Sequence, residues 1–242
     1  MIIYYVEKVD FCIVFWKEGE PMSASEAVIN NNGETLYGYL VRNYVKKGEP
    51  IFVSEVNEKL RADLKQSFKK LYDIGKLKRF QKGIYYLPYK NILGLEGNLD
   101  REEYLKKKYL DNGDIQGYIT GFTLVNRAGL TTQVPAVLEI RSNAATTEQR
   151  KVEINKRNII VYKPYVHITK ENKDMLQFLD LMCYIGDYNE FYDEDKDYYI
   201  NRLNRYIEDK HIDLKQLDKY IPYYPDKVLR NLYLGGLYGI LV

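Results

Sequence analysis

The sequence predicts an α+β protein in two domains, and three observations carry that prediction. A length of 242 residues is generous for one domain and comfortable for two. Hydrophobic residues make up 45% and charged residues 29%, enough apolar side chain to fill cores and too little charge excess for a disordered chain. The hydrophobic period also changes along the chain. Helical spacing dominates residues 34–76, strand-like runs follow, helices and strands then mix, and helices close the sequence. The boundaries that result are an extension over 1–33, a first domain over 34–90 and a second over 91–242.

Within the extension, Met1–Trp16 is apolar but interrupted by Glu7, Lys8 and Asp10. Its uncharged run Phe11–Trp16 falls far short of the ~20 residues that a spanning helix needs. It also lacks the basic start and small-residue cleavage site of a signal peptide. Met22 offers a second start, which would make 1–21 upstream sequence; the alternative is an added strand or helix on the body. Two distant cysteines, Cys12 and Cys183, argue against a disulfide scaffold or a cysteine zinc finger and for a reducing compartment. With no membrane segment in view, a cytoplasmic protein is expected.

The first domain opens with Leu36, Leu40, Val41 and Tyr44 at helical spacing, ended by Gly48 and Pro50. Ile51-Phe52-Val53 is a short apolar run. Ser54 is expected to cap a second helix, Glu55–Leu60, and Asp63 a third. Leu64, Phe68, Leu71 and Ile74 form the apolar stripe of that third helix, and Gly75 fits its C-terminal stop. Two strand-like runs, Leu77–Phe80 and Ile84–Leu87, flank Lys82-Gly83 as a β-hairpin. Three helices followed by a hairpin form the winged helix-turn-helix plan, in which the third helix enters the major groove and the hairpin touches the backbone beside it.

Charge supports that reading. Residues 58–90 hold ten Lys and Arg against three Asp and Glu. Lys69, Lys70, Lys78, Arg79 and Lys82 are placed to meet phosphates, with Arg61 just before the third helix. Lys65 and Gln66 are placed to read base edges, lysine at guanine acceptors and glutamine at adenine. Five phosphate contacts would give log K a slope of roughly −4.5 against log salt. The opposite sign gathers later: residues 171–229 carry 8 Lys and Arg against 14 Asp and Glu. A polyanion is therefore expected to meet the first domain.

In the second domain, residues 100–112 read as a charged helix with Tyr104, Leu105 and Tyr109 inward. A helix is expected over Thr120–Ala128, stopped at Gly129. Strands are expected at Val137–Arg141, Lys151–Ile154 and Ile159–Tyr162. Thr169 is expected to cap a helix through Tyr184 with Met175, Leu176, Leu179, Met182 and Cys183 inward. Asp187–Asp197 reads as an acidic loop. Further helices follow, the last after Pro225, and Asn231–Val242 reads as a buried terminal helix.

Two stretches resemble a known family. Leu71-Tyr-Asp-Ile-Gly-Lys-Leu-Lys-Arg-Phe-Gln-Lys-Gly-Ile-Tyr-Tyr-Leu-Pro88 and Gly117-Tyr-Ile-Thr-Gly-Phe-Thr-Leu-Val-Asn-Arg-Ala-Gly-Leu-Thr-Thr-Gln-Val-Pro-Ala-Val-Leu-Glu-Ile140 are similar to the AbiEi-type antitoxins of type IV toxin–antitoxin systems. Ile168–Asn172 and Tyr224–Leu232 are weaker echoes. The resemblance spans roughly residues 34–242, and its one departure is Lys82 where the family wing often carries Arg. It implies a transcriptional autoregulator that binds inverted repeats in double-stranded DNA at its own promoter. It further implies a nucleotidyltransferase-like toxin as functional partner without a stable complex, and a role in abortive infection and phage defence. It offers no catalytic residues.

Enzymatic alternatives are thin. Glu139-Ile-Arg141 is faintly like a nuclease Glu-x-Lys element, with Asp114 as a partner carboxylate. However, Arg is always protonated and cannot act as a base, so a strand-surface pair is expected. His167 and His211 read as ordinary side chains. Asp193, Asp195 and Asp197 lack the Gly and distal Glu of a calcium loop. Gly235-Gly236 lacks the Lys-Ser/Thr of a phosphate loop. No cofactor and no metal are expected. The remaining alternative is an interaction module that binds a partner through its acidic half.

Overall fold

The computed structural model describes residues 35–185 and 196–237, together with the backbone of β1 (Tyr5–Val9) and β2 (Cys12–Trp16), which pair antiparallel. The alternative start at Met22, the acidic loop up to Asp195 and the chain end beyond Leu237 lie outside the described residues. The chain is α+β and divides into two compact units, Met1–Tyr104 and Leu105–Val242. No helix among the described residues is long and apolar enough to cross a membrane.

In the first unit, α1 (Leu36–Asn43) starts at Thr35, whose hydroxyl accepts from the Gly38 N–H at 3.1 Å. Then come β3 (Ile51–Phe52), α2 (Val53–Leu60), α3 (Lys65–Asp73) and the hairpin of β4 (Lys78–Gln81) and β5 (Ile84–Tyr86). β5 pairs antiparallel with both neighbours, giving the order β3-β5-β4. Leu36, Leu40, Ile51, Val56, Phe68 and Leu71 are fully buried and form the core. Gly83 supplies the left-handed φ of +79° at the hairpin turn.

Two expected caps are corrected. Ser54 lies inside the first turn of α2, which leaves β3 directly, with Phe52 at the cap position and Val53 N–H donating to Gly83 O. At α3 the cap position is Leu64. Asp63 Oδ1 instead accepts from Lys65 N–H, and Asn57 Oδ1 accepts from Leu64 N–H, so α2 holds the turn.

The first unit runs past residue 90. A bridge joins Lys90 to Glu96, Asp100 N–H donates to Gly48 O at 2.7 Å, and α4 (Arg101–Leu105) follows. The fully buried Tyr104 stacks on Phe52, meets Phe80 edge-on, and accepts from Gln81 Nε2 at 3.1 Å. Those ring contacts join Tyr104 to the hairpin and fix the unit's end there. α4 passes into a π turn, Lys106–Leu110.

The second unit contains β6 (Gly117–Thr120), α5 (Gly121–Arg127), β7 (Leu138–Ser142), β8 (Gln149–Ile154) and β9 (Arg157–Tyr162). The sheet order is β6-β7-β9-β8, with β7 and β9 parallel and the other pairs antiparallel. Asn155 and Lys156 both take left-handed φ, as a mirror-image two-residue hairpin turn requires. α6 (Lys173–Tyr184) packs against α5, β6 and the later α8 (Lys227–Leu234). Between them lie α7 (Lys196–Asp209) and 3₁₀ turns at Leu214–Lys219 and Ile221–Tyr223. Every residue from Met175 to Cys183 is buried, so α6 is the unit's central rod rather than an amphipathic cover.

Strand β6 was not expected from the sequence. It exists because Gly117 lets it approach the π turn; a Cβ there would lie 1.9 Å from Tyr109 O. Thr169 does not cap α6. Its N–H donates to Asn172 Oδ1, and Asn172 Nδ2 donates to His167 O, so Asn172 pins the entering loop instead. At the start of α5, Gly121 has φ +64° and lies against the Glu139 carboxylate. Gly121→Ala is expected to cost about 1–2 kcal/mol from the left-handed backbone alone. Thermal unfolding checks this, and an unchanged midpoint would mean that the backbone relaxes.

Candidate nucleic-acid interface

Helical geometry separates two faces of α3. Leu64, Phe68 and Leu71 point into the core, and Phe68 meets the Tyr85 ring at 5.4 Å. Lys65, Gln66, Lys69 and Lys70 occupy the opposite side and are exposed. Burial of one face thus fixes the direction of the other. Lys65 Nζ lies 3.4 Å from Asp63 Oδ2, and the Lys65 backbone N–H holds the Asp63 carboxyl below its ordinary range. Lys69 and Lys70 have no ion-pair partner among the described residues.

The hairpin extends this surface. Lys82 stands exposed at its turn. Arg79 is exposed on β4, its guanidinium 5.5 Å from the Tyr72 ring, which in turn packs on Tyr85. That chain of rings ties the Arg79 charge to the base of α3. Lys76, not singled out in the sequence, sits over Tyr37 at 4.7 Å.

One member of the predicted set stands differently. Lys78 Nζ contacts both Glu96 oxygens, at 3.0 and 3.2 Å, and the Glu96 hydrogen bond raises its pKa. Its charge is matched within the unit, so a phosphate must compete with Glu96. Arg61, expected just before the third helix, is exposed there at the left-handed stop of α2. The Glu96 partner was invisible to sequence reasoning because 18 residues and a loop return separate it from Lys78.

The second unit holds a polar cluster that sequence reading missed. Arg141 Nε donates to Asp180 Oδ2 at 2.6 Å, Thr120 Oγ1 donates to the same oxygen at 2.6 Å, and Arg141 Nη1 donates to Lys163 O. Asp180 and Thr120 are fully buried and Arg141 nearly so. Burial pushes the Asp180 carboxyl up, with Arg141 and Thr120 pulling it back. Arg141 also lies 4.1 Å from the Tyr165 ring.

The expected Glu139–Arg141 surface pair therefore does not form. Glu139 instead accepts from the Tyr162 hydroxyl at 2.9 Å. Burial, with that bond to Glu139, raises the Tyr162 pKa to about 12. Asp114 is exposed in the turn before β6. No group of three or more His, Cys, Asp or Glu among the described residues is placed to hold a metal ion. The chain matches no protein-family model and no curated protein sequence.

Proposed function

We propose that the first unit is a winged helix-turn-helix that binds double-stranded DNA, with α3 in the major groove and the β4–β5 hairpin on the adjacent backbone. The observation that carries this reading is the exposed Lys65, Gln66, Lys69 and Lys70 face of a helix held by Phe68 and Leu71. Lys65 and Gln66 read base edges, while Lys69, Lys70, Arg79 and Lys82 meet phosphates. Taken with the resemblance of Leu71–Pro88 and Gly117–Ile140 to AbiEi-type antitoxins, the protein acts as a cytoplasmic autoregulator of a type IV toxin–antitoxin operon. It opposes a nucleotidyltransferase-like toxin and has no catalysis of its own.

The test is a mobility shift on the DNA upstream of its own gene across a salt series. With Lys78 matched by Glu96, four free phosphate contacts give an expected slope of roughly −3.6 in log K against log salt. A slope near zero would overturn the DNA-binding reading. The acid excess of residues 171–229 favours a second reading, in which that region binds a basic partner. A stable stoichiometric complex with the product of the neighbouring gene would replace the type IV reading with direct inhibition.

A further inference from the structure

Within the second stretch that resembles the AbiEi-type family, Gly129-Leu-Thr-Thr-Gln-Val-Pro135 builds a wall. With Phe122 and Glu139, Thr131 and residues 133–137 line an open cleft of about 330 Å³. The wall is braced from behind, because Asn126 Nδ2 donates to both Thr131 O and Gln133 O, at 3.1 and 3.0 Å. Val134, Pro135 and Val137 make the sides apolar, and Thr131 and Gln133 supply a polar rim. The volume is at the small end for ligand sites and fits one side-chain-sized group rather than a nucleotide.

Glu139 gives the cleft its charge. Tyr162 uses one of the roughly four acceptor positions that a carboxylate offers. Arg141, two residues on along the same face of β7, is committed to Asp180, so that pair is neutral and the charge of Glu139 is left over. No lysine or arginine among the described residues is ion-paired with it. Phe122 lines the same cleft, and its ring lies 5.7 Å from the Tyr184 ring in a T-shaped contact. A carboxylate and an aromatic ring on one cleft are the groups that attract organic cations.

We propose that this cleft binds a guanidinium or ammonium group on an aliphatic stem, with the cation against Glu139 and Phe122 and the stem along Pro135 and Val137. The site is independent of the DNA-binding reading.

The test is an NMR titration of the full chain with Nα-acetyl-L-argininamide and with Nα-acetyl-L-citrullinamide, which keeps the stem but replaces the ligand's one cation with a neutral ureido group. The expected result is saturable shifts at Phe122 and residues 131–137 for argininamide, and about tenfold weaker binding of citrullinamide. Glu139→Gln weakens argininamide by about tenfold without altering the unbound spectrum elsewhere, because the Gln amide oxygen still accepts from Tyr162. Phe122→Leu keeps the carboxylate and weakens binding several-fold, which holds the test open should Glu139→Gln fail to fold. A blocked pentapeptide with one central arginine identifies the source. Tighter binding than argininamide means that the cation arrives on a protein segment; weaker binding means a free small molecule. Equal binding of citrullinamide, indifference to Glu139→Gln, or no saturable shift at tens of millimolar would overturn the proposal.

Discussion

Asp180→Ala is expected to lower the stability of the second unit by about 3–5 kcal/mol, the cost of leaving a buried charge without its partner. Arg141 cannot release its proton and has almost no solvent contact, so its charge would remain in place. Thr120 would lose its acceptor at the same stroke. For a unit of this size the loss corresponds to a fall of about 10–20 °C in the melting temperature, measured by circular dichroism of the full chain. The companion measurement is the double variant Arg141→Met with Asp180→Leu. Replacing both charges with apolar groups of similar volume is expected to recover most of the loss. A single variant that melts with the wild type would show that water reaches Arg141.

The Lys65→Ala, Gln66→Ala, Lys69→Ala triple variant is expected to lose about 2–6 kcal/mol of affinity for operator DNA, or thirtyfold and more. All three side chains are exposed, so the melting curve should not move. The components separate by salt and by sequence. Loss of Lys69 flattens the salt slope by about 0.9 and weakens all sequences alike. Loss of Lys65 and Gln66 relaxes discrimination among sequences instead. Equal affinity of the triple variant and the wild type would remove α3 as the recognition element.

Periodicity made the first unit largely legible. The Leu64, Phe68 and Leu71 stripe placed α3, and Lys82-Gly83 placed the hairpin, because both signals are local; Ile74, expected on that stripe, is instead exposed at the C-cap of α3. The caps misled, since Ser54 and Thr169 are good capping residues beside helix starts that tertiary contacts set elsewhere. The same locality hid the partners of charges. Lys78 looked available until the loop brought Glu96 to it, and Arg141 looked like a surface residue until α6 brought Asp180 beneath it. Asp180 stands among Phe178, Leu179, Leu181 and Met182 in the sequence. A lone acid in such a run signals a paired buried charge, and the sequence reading of α6 named only Met175, Leu176, Leu179, Met182 and Cys183 as inward.

The sheet of the second unit imposes an order in time. In the first unit the most distant strand partners, Ile51 and Tyr85, are close in the chain, so its pairing can finish once Tyr104 has emerged from the ribosome. By contrast, β7 must wait for β9, and the unit's core rod ends at Tyr184, about 4–16 s of translation after Tyr104 at ordinary elongation rates. A ribosome-bound chain therefore passes through an interval in which the cation-bearing part is folded while Tyr118, Leu124 and Val125 still lack the helix that shelters them, the stage at which chaperone capture is expected.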